Sequence, residues 1–228
     1  MKIKEKFYDK KTVIKPWGHE HVAYRDKTNL AITVLNIKYK KKTSLHCHPS
    51  KKTGFILIKG KARIQLGLWK ENRKIFTSPD KLMIRTGLFH QIEAISKSGI
   101  IALEFETPVK KNDLVRFQDN YGREMKPYEG KKHLSEIKET DMIFKKPKIN
   151  SVQKFKVGKL TIQMQTHTNF ENIVNKKNSN IFAIIDGQVV DRHNRNILSY
   201  GDIIKTGTFK KLSKVFKIKK NLTLLSVS

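Results

Sequence analysis

Cysteine is almost missing from this chain of 228 residues: Cys47 is the single example, which excludes an internal disulfide and agrees with a reducing compartment. Long apolar runs are missing as well, since no window approaches the roughly 18 consecutive apolar residues that a membrane-crossing helix needs. The opening Met1-Lys2-Ile3-Lys4-Glu5-Lys6 is charged and has no apolar signal core behind it, so a cytoplasmic location with no membrane partner is expected. Acidic residues are scarce, 20 against 48 basic ones, which leaves a formal charge of +28. Such a surface attracts nucleic acid, anionic membrane or phosphorylated ligands. Arginine, however, is scarce in its turn, with eight among the 48 basic residues. Specific nucleic-acid readers lean on the planar fork of Arg and add a stacking platform or a recognition helix. The lysines instead run from Lys2 to Lys220 among many Ile, Asn and Phe, as an A/T-rich genome would spell an ordinary surface. A nucleic-acid partner is therefore not expected, while the field still favours an anionic small molecule.

What is abundant is a short apolar block, four to eight residues rich in Val, Ile, Phe and Leu, closed by Gly, Pro, Asn, Asp or Lys-rich turns. Ala31 to Ile37, Gly54 to Lys59, Ala62 to Leu66, Lys81 to Arg85, Ile100 to Phe105, Leu160 to Gln165, Ile181 to Ile185 and Leu222 to Val227 are examples. Strands at intervals of about 8 to 12 residues signal an all-β sandwich or barrel. Helical periodicity is weak, with short candidates around Lys111 to Phe117 and Lys132 to Glu139.

The blocks also repeat. Phe55-Ile56-Leu57-Ile58-Lys59-Gly60 lies over Phe182-Ala183-Ile184-Ile185-Asp186-Gly187, and Met83-Ile84-Arg85-Thr86-Gly87-Leu88-Phe89 over Ile203-Ile204-Lys205-Thr206-Gly207-Thr208-Phe209. Ala102-Leu103-Glu104-Phe105 then corresponds to Leu224-Leu225-Ser226-Val227. Three matches in one order predict two tandem barrels, over about 25–108 and 152–228. The expected domains are 1–123, a lysine-rich connector over 124–150, and 151–228.

Chemistry concentrates in the first copy. His46 and His48 flank Cys47, and on a strand residues two apart face the same way, so both imidazoles can enter a lumen. His90, about forty residues later, can supply a third nitrogen to a metal. The bland alternative is a set of surface or hydrogen-bonded histidines.

His46-Cys47-His48 with Gly60, and Gly87 with His90, resemble the two motifs of the cupin superfamily, His-x-His through Glu to Gly and Pro-x-Gly-x-x-His. The resemblance implies double-stranded β-helix (jelly-roll) barrels, here a bicupin, with His46, His48 and His90 holding a divalent metal such as zinc, nickel, iron or manganese. Arg85 stands in the place of the proline, and Thr53 where the family has a Glu ligand. Water or another side chain must fill that position, and Glu20, Gln91 and Glu104 are the nearby candidates. A narrower resemblance covers most of the first half. Val13-Ile14-Lys15-Pro16-Trp17-Gly18-His19-Glu20, Glu106-Thr107-Pro108 and the run from Asp113 to Arg123 are similar to segments of cupins related to type II mannose-6-phosphate isomerases. This implies a sugar or sugar-phosphate ligand. One reading is a metal-dependent sugar-phosphate isomerase or epimerase-like enzyme; the other is a non-catalytic cupin that binds a small carbohydrate.

Lys15, Arg116 and Arg123 are candidates to hold a phosphate, with solvated charge the alternative for Lys15 and ion pairs to Asp113 or Asp119 the alternative for the arginines. Trp17 and Tyr121 are candidates for ligand stacking or for packing. No catalytic residue is assigned. In the second copy Lys210 replaces the motif histidine, Ile173 and Asn175 stand where His46 and His48 do, and no metal is expected. His167 and His193 read as exposed. The second barrel is expected to serve as a packing partner, lid or oligomerisation surface, and the resemblance implies a homo-oligomer.

Overall fold

Short blocks rich in β-branched residues suit strands, whose alternate side chains reach a core without the length a helix needs. In the computed structural model, which describes residues 10–110, 112–122, 131–175 and 180–228, they form twenty strands and two short α-helices. Two compact units result: the described residues of Met1–Asp80 with Ile84–Ile143, and Lys81–Met83 with Phe144–Ser228.

The first unit contains β1 (Lys11–Lys15), β2 (Gly18–Arg25), β3 (Ala31–Ile37), β4 (Leu45–Cys47), β5 (Lys52–Lys59) and β6 (Lys61–Leu66). These are followed by β7 (Arg73–Thr77), β8 (Asp80–Ile84, of which Lys81–Met83 are grouped with the second unit), β9 (His90–Ala94), β10 (Ile100–Thr107), β11 (Val115–Gln118) and β12 (Leu134–Glu136). One sheet has the order β12-β1-β2-β3-β10-β5-β8 and the other β11-β4-β9-β6-β7. Central β5 is buried from Thr53 through Ile58, so it is covered on both faces. The turn after it needs Gly60: its φ is +83°, and an added Cβ would overlap the Gly99 carbonyl oxygen.

The second unit contains β13 (Val152–Val157), β14 (Leu160–His167), α1 (Glu171–Val174), β15 (Ile181–Asp186), β16 (Val189–Val190) and β17 (Asn196–Leu198). Then come β18 (Ile203–Lys205), α2 (Thr206–Leu212), β19 (Lys217–Ile218) and β20 (Leu222–Val227). Its sheets run β13-β14-β20-β15-β18 and β17-β16-β19. Strand for strand, that is the order β2-β3-β10-β5-β8 and β7-β6-β9 of the first unit. Gly187, which follows β15 as Gly60 follows β5, has φ +89° and faces the Asn221 carbonyl oxygen. Among the described residues nothing corresponds to β4. Instead Ile173 of α1 and Phe209 of α2 join Phe182, Ile184, Val189, Ile204, Leu222 and Leu224 in one apolar cluster.

Three expectations need correction. Lys111, where the helix expected to Phe117 would begin, lies outside the described residues, and 112–117 are not a helix: Val115–Gln118 is a strand, because pairing with the free edge of β4 satisfies its backbone better than one isolated turn would. Residues 132–139 are not an α-helix either; after a single 3₁₀ turn, Leu134–Glu136 pairs with β1, and Lys11 binds Glu136. His167 is buried, not exposed, at the end of β14, whereas His193 lies in an exposed turn. A further difference concerns the repeat. Thr86-Gly87 makes a turn, whereas Thr206-Gly207 begins α2, since Phe209, Leu212 and Phe216 recur at helical spacing and turn toward the core. No helix among the described residues is long and apolar enough to cross a membrane.

Candidate metal centre

Strand β4 lies between β11 and β9, and its residue His46 stands directly opposite His90 of β9. His48 follows two positions later on the same face. The ring centroids are 4.5 Å apart for His46 and His90, 5.1 Å for His46 and His48, and 5.5 Å for His48 and His90. One ring nitrogen of each comes within 4.8 Å of the other two. The spacing of the sequence thus brings the three imidazoles together.

Their orientation is set by the backbone. A carbonyl oxygen can only accept, so each Nδ1 beside one must carry the proton. His46 Nδ1 donates to Ser44 O at 2.8 Å, His48 Nδ1 to Asp113 O at 2.5 Å, and His90 Nδ1 to Leu88 O at 3.0 Å. Every Nε2 is thereby left as a lone pair, and that of His90 is buried with no hydrogen-bond partner. Burial drives all three pKa values down: His90 to about 4, with His48 contributing, and His46 well below its usual value, helped by His90 and His48. His48 is lowered by burial and then by Lys51. At neutral pH the cluster consists of three neutral imidazoles, the form in which His binds a metal.

Carboxylates approach from the facing sheet. Glu104 and Glu106 are two apart on β10 and so share a face, and each places an oxygen within 4.8 Å of the same His48 nitrogen. Glu106 Oε1 is 3.7 Å from His48 Nε2 and is also bound by Lys51, which is itself buried. Glu104 is pushed well above the ordinary carboxyl range by burial and then by Glu106 and Glu20. Thr53 lies opposite Glu106 in the β5–β10 register, and its buried hydroxyl has no hydrogen-bond partner. Of the candidates to fill the Thr53 position, Gln91 donates to Thr43 O at 3.0 Å and follows His90, so it faces the other way; Glu20 pairs with Lys15 at 3.1 Å. Sequence reasoning missed Glu106. The signal was its place two residues after Glu104, which puts both on one strand face.

The remaining candidates divide. Arg116 of β11 stands opposite His46 in register, and its charge acts on that ring. Lys15 is paired with Glu20 and its side chain is only 10% exposed, so simple solvated charge does not describe it. Trp17 belongs to the hydrophobic core. The Tyr121 hydroxyl donates to Lys42 O at 3.2 Å and fastens the end of β11 to the loop before β4. Arg123 lies outside the described residues. Asp113, by contrast, works at the site twice: its carbonyl orients His48, while its carboxylate accepts the N–H groups of Ser50 and Lys51 at 2.8 to 3.0 Å. Burial pushes that carboxyl up, but these bonds outweigh it and hold the pKa below the usual range.

The donor set fits a divalent cation. Three neutral imidazoles present free Nε2 atoms, one of them otherwise orphaned, and each is fixed through its other nitrogen, as metal-bound histidines are.

A profile of the family described as mannose-6-phosphate isomerase C-terminal matches residues 2–119. No curated protein sequence matches significantly. Among solved structures, a protein of Acidithiobacillus ferrooxidans assigned as a sugar phosphate isomerase shares 14% identity over 36% of this chain and 51% of its own, with a TM-score of 0.32. The capsular polysaccharide assembling protein CapF of Staphylococcus aureus shares 15% over 47% and 34%, at 0.41. KdgF of a Halomonas species shares 10% over 44% and 88%, at 0.39. The chain thus spans about half of the first of these proteins and a third of the second. Its antiparallel sheets form the double-stranded β-helix, or cupin, fold. With a match over residues 2–119, just over half of its length, the chain belongs to the mannose-6-phosphate isomerase C-terminal family.

Proposed function

We propose that the first unit is a metal-binding cupin acting on a sugar or sugar phosphate as an isomerase or epimerase-like enzyme of carbohydrate metabolism. The observation that carries this reading is the convergence of three imidazoles, each fixed by an Nδ1–H bond to a backbone carbonyl that leaves Nε2 as its lone pair. His46, His48 and His90 would hold zinc, nickel, iron or manganese. Such a cation supplies a Lewis acid that polarises a carbonyl or hydroxyl of an open-chain sugar. The chain's own charges then orient the substrate: Arg116 beside His46 suits a phosphate, which a guanidinium binds through two parallel hydrogen bonds. Lys15 and Lys51, paired with Glu20 and Glu106, add positive charge near the same lumen. The second unit repeats the strand order and is read as a degenerate barrel whose interior is filled by Ile173, Phe182 and Phe209, serving as a packing or oligomerisation partner.

Thr53, with no carboxylate of its own, favours a second reading, a cupin that binds a small carbohydrate without turning it over. One experiment separates them. Elemental analysis of the purified protein, with a His46→Ala/His90→Ala variant as control, should show a divalent metal that the variant lacks. Proton NMR of aldose and ketose phosphates incubated with the loaded protein should then show interconversion. Binding without interconversion, or metal content equal to that of the variant, supports the second reading, and a protein that takes up neither metal nor carbohydrate overturns both.

A further inference from the structure

We infer that Glu106 is the fourth protein donor of the metal centre, delivered from β10 to the place that Thr53 of the neighbouring strand leaves unfilled. The inference rests on the reading of His46, His48 and His90 as metal ligands and goes beyond it by assigning the missing anion.

Three imidazoles alone present a neutral face to a doubly charged ion, and the nearest carboxylates among the described residues come from one strand. Glu104 and Glu106 both lie within 4.8 Å of the His48 nitrogen, but their surroundings differ. Glu106 is opposite Thr53 in the antiparallel register, whereas Glu104 is opposite Phe55. Directly opposed side chains on a sheet have Cβ atoms about 5 Å apart, so a carboxylate rooted at Glu106 reaches the space in front of Thr53. Thr53 itself offers only a short hydroxyl, buried and without a hydrogen-bond partner. Phe55, opposite Glu104, by contrast carries a large ring whose centroid stands 6.0 Å from that of His90. Glu106 Oε1 already stands 3.7 Å from His48 Nε2.

Lys51 makes sense in this arrangement. It is 5% exposed and ion-paired with Glu106, so it fixes the direction of the carboxylate when no cation is present. Oε1, the oxygen nearest His48, is also the one that Lys51 holds; with two oxygens and about four lone-pair directions, a small rotation of the carboxylate keeps the ammonium on Oε1 and brings Oε2 to a cation. The loop that carries Lys51 is fixed by Asp113, the residue that also orients His48. Lys51, which holds Glu106, and His48 are therefore both fixed by the same residue.

Zinc titration against a competing chelator tests the assignment on four proteins: wild type, Glu106→Gln, Glu106→Gln/Thr53→Glu and His90→Ala. Glu106→Gln is expected to weaken zinc about 10- to 100-fold, the range for disturbing the support of a metal site or more. Adding Thr53→Glu should recover most of the loss, because the new carboxylate starts from the strand position facing the old one. A Glu106→Gln affinity within twofold of wild type, alongside a large loss in His90→Ala, overturns the role of Glu106 and leaves the histidine centre standing. Failure of the wild type itself to bind zinc, nickel, iron(II) or manganese overturns both. If Glu106→Gln does not fold, Glu106→Asp keeps the pair with Lys51 and pulls the carboxylate back by one methylene; unchanged zinc affinity in that variant also counts against the assignment.

Discussion

Acidifying the metal-stripped protein from pH 7 to pH 4.5 should destabilise it through the histidine cluster, and His90 sets the scale. Its folded pKa is about 4 against an ordinary 6.5, and its side chain is 2% exposed, so solvent screening removes little. A base whose pKa is lowered on folding takes up its proton more readily when unfolded, so stability is complete above about pH 6.5 and falls as the pH drops toward 4. The full difference of about 2.5 units corresponds to about 3.4 kcal/mol, of which about 2.5 kcal/mol is lost by pH 4.5. That is large beside the roughly 5 to 15 kcal/mol that holds a typical domain. His46, His48, His21 and His19 are lowered too, and act with the same sign. Glu104 acts with the opposite sign, because its raised pKa makes protonation favour the folded state as the pH falls. Asp113, Asp186 and Asp191 titrate below the window, since each is lowered from 3.8. Urea melts of wild type and His90→Gln at pH 7, 6, 5 and 4.5, in the presence of EDTA, read the imidazole together with its coupling to His46 and His48, while the groups that do not act on it are common to both. Wild type should lose about 2.5 kcal/mol more than the variant between pH 7 and 4.5. Losses that agree within about 0.5 kcal/mol would refute the claim that His90 is held neutral in the fold.

Zinc binding at pH 6 should draw almost no protons from the three imidazoles, which are already neutral; isothermal titrations of a Glu104→Gln variant, which lacks the raised carboxyl that a nearby cation would deprotonate, in two buffers of different ionisation enthalpy measure this, and one proton or more per zinc contradicts it. Asp113→Ala should weaken zinc by about tenfold without removing any proposed ligand, because the Ser50 and Lys51 amides lose their anchor; a chelator competition reads this. Gly60→Ala should cost about 2 kcal/mol or more in urea unfolding, through the left-handed backbone and the overlap with the Gly99 carbonyl. Phe209→Ala should cost about 3 to 5 kcal/mol and leave zinc affinity unchanged, since its cavity opens in the second unit; a parallel fall in zinc affinity would speak against that separation.

The sheets were largely legible because their signals are local. Ala31–Ile37 and Leu222–Val227 are bounded in the structure as their apolar runs suggest, and Gly60 and Gly187 mark equivalent turns. The convergence of His46, His48 and His90 was legible through spacing alone. What resisted reading depends on pairing between distant segments. Val115–Gln118 and Leu134–Glu136 are polar and short, and become strands only because β4 and β1 offer them free edges. Glu106 gives no sign of its neighbours until the β5–β10 register places it against Thr53. Likewise the Thr-Gly pairs at Thr86 and Thr206 are identical in letters, and diverge because only the second is followed by residues that pack as a helix.

Among the described residues strand β11 sits at the rim of its sheet, with β4 as its one hydrogen-bonded neighbour, yet the segment leading into it carries Asp113. Peeling that border strand away would take the carbonyl from His48 and the carboxylate from the Ser50–Lys51 amides in one movement. The periphery of the barrel therefore acts as a latch on its centre: whatever grips or loosens residues 113–118 is transmitted to the aim of an imidazole one strand away.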